Sequence, residues 1–334
     1  MTLLKVKFNT PIMVEYGLTP YCNAKCVFCL NQWRDKPIKF IEDWNNIKKI
    51  CDAFIKADVF DVYLTGGEPT CSKYFHKTIK YLYDNNITIS ISTNGLDIDD
   101  LKFNTIKKYV SKIGISIHNI GSKLDTIMSV KNSFKRIDKF IKKLDNTGMI
   151  YSLNYTIFDK NYDDLEKTLN YVAKNYKNIS TFNINRMSFV GSAYNNKIYL
   201  SKKIQIELFK KIKKLNTKYS FDINLADVAP YCYTKIKQKP CGAGFSFTYI
   251  DPWGNNMLCI MNNKPFGNLL NSDLIKLWNT KELKDFRTLN WLPDKCKSCK
   301  FIKDCQGGCK FSQVEFRSNT PYSEDILLTD ILDV

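Results

Sequence analysis

The stretch Cys22-Asn23-Ala24-Lys25-Cys26-Val27-Phe28-Cys29 decides how the rest of this chain is interpreted. Its three cysteines are spaced C-x3-C-x2-C in a loop that follows an apolar run. Three thiolates this close together can hold one iron–sulfur cluster, which ordinarily takes four protein thiolates. One iron is then left without a protein ligand and can bind another molecule. The stretch therefore predicts a cluster with one open coordination position.

The length and composition indicate a globular protein. The chain has 334 residues, of which 44% are hydrophobic and 25% charged, so it can bury a large core in one large domain or in one domain with an appendage. No apolar run is long enough to span a bilayer. Residues 1–10 lack the apolar segment of a signal peptide, so we expect a cytoplasmic protein without membrane contact.

The net charge of +17 has two interpretations. A basic chain can bind nucleic acid, and a non-catalytic protein that holds zinc and grips nucleic acid is one hypothesis. The other interpretation is a solvated surface, because the lysines are scattered along helical segments and no arginine cluster or nucleic-acid motif accompanies them. We favour the solvated surface.

The twelve cysteines point to metal rather than to disulfides. A chain without a secretory signal has little use for a disulfide framework. The C-x3-C-x2-C and C-x2-C spacings are typical of metal sites.

Strands and helices alternate strictly from Pro11 to about Leu200. Helices with a 3.6-residue apolar period separate the β-branched runs Ile12–Gly17, Val59–Thr65, Ile87–Ser92, Ile113–His118, Ile150–Ile157 and Ile179–Asn185. Six such units predict an α/β fold with a parallel sheet, as a partial (β/α)6 TIM barrel. Chemistry in such sheets lies at the carboxyl ends of the strands.

The character of the sequence changes near residue 225. A helical segment at Lys202–Leu215 precedes the change, and seven of the twelve cysteines follow it. We therefore predict two domains, a barrel over residues 9–225 and a small cysteine-rich domain over residues 226–334.

Polar motifs follow the predicted strands. Thr65-Gly66-Gly67-Glu68-Pro69 comes after the second strand, where paired glycines let the backbone approach a ligand closely. Ser92-Thr93-Asn94-Gly95 ends the third strand, although these residue types also suit an ordinary turn. Gly114-Ile115-Ser116-Ile117-His118 forms the fourth strand, and Arg186 follows the sixth.

Together these motifs resemble the radical S-adenosylmethionine (radical SAM) family. The resemblance implies that Cys22, Cys26 and Cys29 hold a 4Fe-4S cluster whose open iron takes the amino and carboxylate groups of SAM. It implies SAM contacts for a set of residues near the strand ends, namely Phe28, Gly66, Gly67, Glu68, Pro69, Ser92, Asn94, Ser116 and Arg186. Phe28 would lie beside adenine and Arg186 would meet the SAM carboxylate, unless Arg186 pairs with a local acid.

The C-terminal cysteines resemble the SPASM extension of radical SAM maturases. Cys241 and Cys259 flank Gly254, and the run Cys296-x2-Cys299-x5-Cys305-x3-Cys309 follows. Zinc would suit this segment in isolation, but beside a radical SAM motif we favour one or two auxiliary 4Fe-4S clusters.

The resemblance also implies which cysteines belong together. It assigns Cys241, Cys259 and Cys309 to one auxiliary cluster, with Cys232 as a further candidate. It assigns Cys296, Cys299 and Cys305 to a second. The family's last cysteine is missing here, since Ser323 stands at that position. The second cluster is therefore expected to have an open iron or an oxygen ligand from Ser323, Glu324 or Asp325, or to be lost.

These features predict a radical SAM oxidoreductase that cleaves SAM reductively and abstracts hydrogen from a substrate. A peptide or protein substrate is favoured, as in the maturation of ribosomally synthesised peptides (RiPPs), with oxidation, a cross-link, a thioether or epimerisation as the outcome. Oxidation or epimerisation of a small molecule such as an aminoglycoside is the enzymatic alternative. We expect flavodoxin or ferredoxin as electron donor. His118, Asp227 and Cys232 are candidates for a catalytic acid, base or hydrogen donor on position alone.

Overall fold

The computed structural model describes residues 8–31, 39–262, 264–311 and 325. Within them the predicted alternation of strands and helices is confirmed. The strands are β1 (Met13–Thr19), β2 (Asp61–Gly66), β3 (Thr88–Thr93), β4 (Lys112–Ser116), β5 (Tyr151–Ile157), β6 (Ile179–Arg186), β7 (Asp222–Leu225), β8 (Phe247–Ile250), β9 (Asn255–Met257) and β10 (Gly267–Asn268).

The helices cover the outer face of the sheet and build the C-terminal segment. They are α1 (Trp44–Lys56), α2 (Phe75–Asp84), α3 (Asp100–Tyr109), α4 (Ser122–Met128), α5 (Ser133–Asp145), α6 (Leu165–Asn175), α7 (Ser192–Asn195), α8 (Lys202–Leu215), α9 (Tyr231–Thr234), α10 (Leu274–Trp278), α11 (Lys281–Arg287), α12 (Asp294–Lys297) and α13 (Ile302–Cys305).

A single sheet runs through the described residues in the order β10-β9-β8-β1-β2-β3-β4-β5-β6-β7. Strands β1 to β7 are parallel neighbours in chain order, and β8 is parallel to β1 on its other side. Because β9 and β10 continue antiparallel from β8, the cysteine-rich segment extends the barrel sheet itself. The sequence did not reveal this continuity, since these strands are only two to four residues long.

The core lies between the sheet and the helices. Alternate residues of each strand point outward into it, as Val62 and Leu64 of β2 do, and both are fully buried. The apolar stripe of α1 packs on this layer, and Cys51 is a fully buried member of it. The odd-numbered residues of β2 face the other way, into the barrel, where polar side chains prevail.

None of the helices in the described ranges combines the length and the apolarity needed to cross a membrane.

The fold predicts how stability responds to truncation of its outer layer. Leu169 on α6 is fully buried, so Leu169→Ala should lower the free energy of unfolding by about 2–5 kcal/mol. Leu101 on α3 is 65% exposed, and Leu101→Ala should change it by no more than about 0.5 kcal/mol. Anaerobic denaturant unfolding measures both variants, and equal losses would contradict the layered core.

Candidate active site and iron–sulfur sites

The carboxyl ends of the parallel strands surround one cavity of about 710 Å³. Its wall includes Cys22, Cys26 and Cys29 at one side and Cys241, Cys259 and Cys309 at another. Most of the predicted SAM contacts also line it, namely Phe28, Gly67, Glu68, Ser92, Asn94, Ser116 and Arg186. The volume suits a cofactor-sized ligand together with part of a substrate. The fold thus brings together residues that are far apart in sequence.

The cysteine loop after β1 is fixed by backbone hydrogen bonds rather than by packing alone. The N–H groups of Lys25 and Val27 donate to the carbonyls of Met128 and Ile127 at 2.8 and 3.0 Å. The N–H of Ser192 donates to the Cys29 carbonyl at 2.8 Å. Both ends of the loop are therefore held by distant parts of the barrel.

The paired glycines after β2 allow this loop to lie against the second strand end. A Cβ atom on Gly67 would stand 2.2 Å from the Tyr21 carbonyl oxygen, and one on Gly66 would stand 2.5 Å from that of Thr19. Gly66 also has a φ of +126°, which L side chains rarely adopt. Only glycine leaves room for the backbone contact, which fits the role expected of this motif.

Glu68 connects the second and third strand ends. Its carboxylate accepts hydrogen bonds from the N–H and hydroxyl of Thr70, the hydroxyl of Thr93 and the N–H of Asn94, at 2.7–3.2 Å. Burial raises the pKa of Glu68, and these donors oppose the rise. The Asn94 amide in turn donates to the Asn23 side chain at 2.7 Å, so the carboxylate also orients the cysteine loop.

Phe28 and His118 meet inside the cavity. Their rings are edge-on, with centroids 4.7 Å apart. His118 Nδ1 accepts from the Thr156 N–H at 3.0 Å, which leaves the ring proton on Nε2 in the neutral form. Burial lowers the pKa of His118 to about 3, so the ring is neutral at pH 7. In this arrangement His118 is a hydrogen-bond donor rather than a base.

Arg186 lines the cavity but is paired to an acid. Its guanidinium donates to Asp325 at 2.8 and 3.3 Å and to Gln205 and the Val228 carbonyl. Burial opposes the charge of Arg186, yet Asp325 raises the pKa of the guanidinium overall. The Nε atom has no hydrogen-bond partner among the described residues. These contacts support the interpretation in which Arg186 pairs with a local acid. A contact between Arg186 and SAM stays a prediction.

Two further carboxylates reach the cavity. Asp227, just beyond β7, has a buried Oδ2 without a hydrogen-bond partner among the described residues, and burial raises its pKa to about 6. Glu15 lies on β1, in register with Tyr63 on β2 and Tyr249 on β8. Burial raises the pKa of Glu15 to about 7. The sequence did not single out Glu15; an acid within an otherwise apolar strand was the available signal.

Cys241, Cys259 and Cys309, the first auxiliary group, lie together in the fold. They belong to one apolar cluster with Trp278, Phe286 and other buried side chains. Lys310, next to Cys309, is buried, and its Nζ has no hydrogen-bond partner among the described residues. Its ammonium lies over the Phe245 ring, 5.7 Å from the centroid, and a buried cation of this kind suits a neighbouring anionic group such as a thiolate-bound cluster. Asp325 accepts from the Cys309 N–H at 2.8 Å.

Cys296, Cys299 and Cys305 form a second group near the surface. Turns hold them together, with the Cys299 N–H donating to the Cys296 carbonyl at 3.1 Å. Cys232 lies beside this group and not beside the first, because its neighbour Tyr231 donates its N–H to Cys305 Sγ at 3.3 Å. Asp325 instead contacts Arg186 and Cys309, and Ser323 and Glu324 fall outside the described residues.

No three side chains of His, Cys, Asp or Glu converge tightly enough for a single metal ion, within the residues described. Each thiolate of a 4Fe-4S cluster binds a different iron, so the ligands stand farther apart than around zinc.

Comparison with known proteins matches both halves of the chain. The family model described as the radical SAM superfamily matches residues 16–172, and that described as an iron–sulfur cluster-binding domain, SPASM, matches residues 241–300. The chain therefore contains a radical SAM domain followed by a SPASM domain. Its barrel carries the SAM-binding 4Fe-4S site, and its C-terminal segment carries the auxiliary iron–sulfur sites.

Similarity over about nine tenths of this chain connects it to two curated proteins. It is 25% identical over 316 residues to the mycofactocin maturase MftC of Mycolicibacterium smegmatis, covering 90% of this chain and 78% of MftC. It is also 25% identical over 326 residues to the antilisterial bacteriocin subtilosin biosynthesis protein AlbA of Bacillus subtilis, covering 91% of this chain and 68% of AlbA.

A solved structure shares the fold over almost the whole chain. The crystal structure of Streptococcus suis SuiB bound to its precursor peptide SuiA superposes with a TM-score of 0.77 at 19% identity, covering 96% of this chain and 76% of SuiB. The radical SAM partial barrel with a C-terminal SPASM domain is therefore confirmed.

The cysteine loop can be tested against a cysteine of the core. Cys29→Ala should remove roughly four irons per chain and abolish SAM cleavage, because two thiolates cannot hold the cluster. Cys51→Ala removes a thiol buried in the stripe of α1 and should leave both quantities unchanged. Iron analysis and an assay for 5′-deoxyadenosine measure them; loss of iron in both variants would contradict the assignment.

Proposed function

We propose that this radical SAM enzyme modifies a peptide by abstracting hydrogen from one of its residues. When bound, the reduced cluster and SAM supply a 5′-deoxyadenosyl radical for that step. The chain's own residues position the reactants. The cysteine loop and the Glu68 motif hold SAM at one side of the cavity. The polar side chains of the strands that line the rest of the cavity receive the substrate. The product class, whether oxidation, cross-link, thioether or epimer, stays open.

The observation that supports this proposal is the cavity between two sets of cysteines. A substrate within it lies against the cysteine loop on one side and the first auxiliary group on the other. Both curated relatives, which are named as a maturase and as a bacteriocin biosynthesis protein, match along nearly the whole chain. A peptide substrate is the common implication.

The alternatives receive less support. The aminoglycoside hypothesis shares the motifs, but the two curated relatives reported above carry peptide-related names. The zinc and nucleic-acid hypothesis does not account for the radical SAM match over the barrel. Neither hypothesis is favoured.

The electron donor is part of the proposal. Exposed lysines surround the second auxiliary group, at positions Lys235, Lys295, Lys297, Lys300 and Lys303. A basic surface attracts an acidic partner and speeds its association. An acidic redox protein of the flavodoxin or ferredoxin kind fits this face.

A hydrogen-transfer experiment tests the substrate class. Anaerobically reconstituted enzyme is given SAM, a reductant and a proteolytic digest of deuterated whole-cell protein, or in parallel a deuterated amino sugar. We expect 5′-deoxyadenosine that carries deuterium only with the peptides, as read by mass spectrometry. Deuterium from the sugar alone, or colourless protein without SAM cleavage, would contradict the proposal. The Cys26→Ala variant, which should not cleave SAM, serves as the negative control.

Glu15 indicates which kind of residue the peptide presents. Its carboxylate makes no hydrogen bond or ion pair with the described residues, and the pKa rise to about 7 has burial as its cause. Its partners in register on the two neighbouring strands are the uncharged Tyr63 and Tyr249. A buried acid gains most from a partner that brings a positive charge. We therefore propose a lysine or arginine side chain as the group received here.

Two matched peptides test this role of Glu15. The acetylated tripeptide amides Gly-Lys-Gly and Gly-norleucine-Gly differ by one ammonium group. The enzyme with SAM should bind the lysine peptide at least about tenfold more tightly, since a charge-assisted hydrogen bond contributes about 1.5–3 kcal/mol.

Glu15→Gln should make the two affinities equal in isothermal titration. Glu207→Gln should keep the preference, since Glu207 is exposed on α8. An unchanged preference in Glu15→Gln, or no binding of either peptide to the unaltered enzyme, would refute the role of Glu15.

A further inference from the structure

The second auxiliary group lacks the downstream cysteine that its sequence pattern leads one to expect. Cys309 is the last cysteine of the chain. Cys296, Cys299 and Cys305 therefore need a fourth ligand from elsewhere if a 4Fe-4S cluster is to be fully bound by thiolates. The chain has one cysteine near them that precedes the run by more than sixty residues, and that is Cys232.

The backbone around Cys232 is packed against the second group. The N–H of Tyr231 donates to Cys305 Sγ at 3.3 Å, and the rings of Tyr231 and Phe301 have centroids 4.2 Å apart. Pro230 is in close contact with Gly308, where a Cβ atom would stand 2.7 Å from the proline ring. Helix α9 is thus docked onto α13 and the turn that follows it.

The charged groups that act on each thiol also place Cys232 with the second group. Cys305 and Cys299 are the two thiols that interact most strongly with Cys232. Cys305, Cys232 and Cys299 are likewise the thiols that interact with Cys296.

The first group is separate from this set. Asp325, Arg186 and Cys241 are the charged groups that act most strongly on the Cys309 thiol, and Cys232 is not among them.

We infer that Cys232 is the fourth thiolate ligand of the second auxiliary iron–sulfur cluster, in place of the missing downstream cysteine. This rests on the iron–sulfur chemistry of the proposed function and deepens it by completing one ligand set. It differs from the assignment of Cys232 to Cys241, Cys259 and Cys309 that the family resemblance implies. Asp325 is not available as the substitute ligand, because Arg186 and the Cys309 N–H occupy its carboxylate.

Thiol labelling of the intact holoenzyme tests the inference without any substitution. Cys232 and Cys71 are both exposed, and Cys71 belongs to neither auxiliary group. Because a thiolate bound to iron is not free to act as a nucleophile, N-ethylmaleimide should modify Cys232 at least about tenfold more slowly before iron is removed than afterwards. The protection should extend to Cys296, Cys299 and Cys305. The iron-free protein is the reference for each thiol, since Cys71 interacts with Cys22 and reports on the barrel cluster instead.

Mössbauer spectroscopy of iron-57 protein gives an independent readout. Cys232→Ala should alter the spectrum of one auxiliary cluster or remove it, and Cys51→Ala should leave the whole spectrum unchanged. Neither measurement needs SAM cleavage or a substrate, so failure of the proposed function would be recognised separately. The inference is overturned if Cys232 reacts as fast in the holoenzyme as it does after iron removal, if zinc occupies the site, or if Cys232→Ala leaves the spectrum intact.

Discussion

The carboxylate of Glu68 is the interaction on which the arrangement of the site depends. It is almost fully buried, and it accepts hydrogen bonds from Thr70, Thr93 and Asn94. Parallel strands bring their carboxyl ends to one edge but leave the loops beyond them free to vary. Glu68 removes that freedom by tying the second strand end to the third. The N–H of Glu68 donates to the Tyr21 carbonyl at 2.8 Å, which adds the first strand end to the same network.

This network explains why glycine precedes Glu68. The N–H of Gly67 donates to the Thr19 carbonyl at 2.8 Å, and a side chain there would collide with the Tyr21 backbone. The close approach of these two backbone segments and the hydrogen bonds between them thus depend on each other. This contact and the backbone hydrogen bonds to α4 fix the position of the cysteine loop. An open iron held by the loop would therefore face the cavity in a fixed orientation.

The sequence predicted the barrel well because its signals are local. Alternating β-branched runs and 3.6-residue stripes each span a few residues, and all six predicted strands are present as β1 to β6. The continuation of the sheet through β8 to β10 was missed, since pairing between residues as distant as Met13 and Phe247 leaves no periodic trace. For the same reason, the sequence predicted the grouping of some cysteines and not the position of Cys232. Spacing predicted the groups within each run, whereas the location of Cys232 depends on how α9 docks onto α13.

Moving Cys232 to the second group changes where a coordination vacancy would lie. Among the described residues, the first auxiliary group then retains Cys241, Cys259 and Cys309, and all three line the cavity. A cluster bound by three thiolates has an iron open to another ligand. The open coordination position was expected at the second group, near the surface. It would instead lie at the first group and face the substrate. Glu15 lies within electrostatic reach of this group, because the pKa of Cys259 is raised first by burial and next by Glu15. A cationic side chain held at Glu15 would therefore bring its peptide between the SAM site and the open iron.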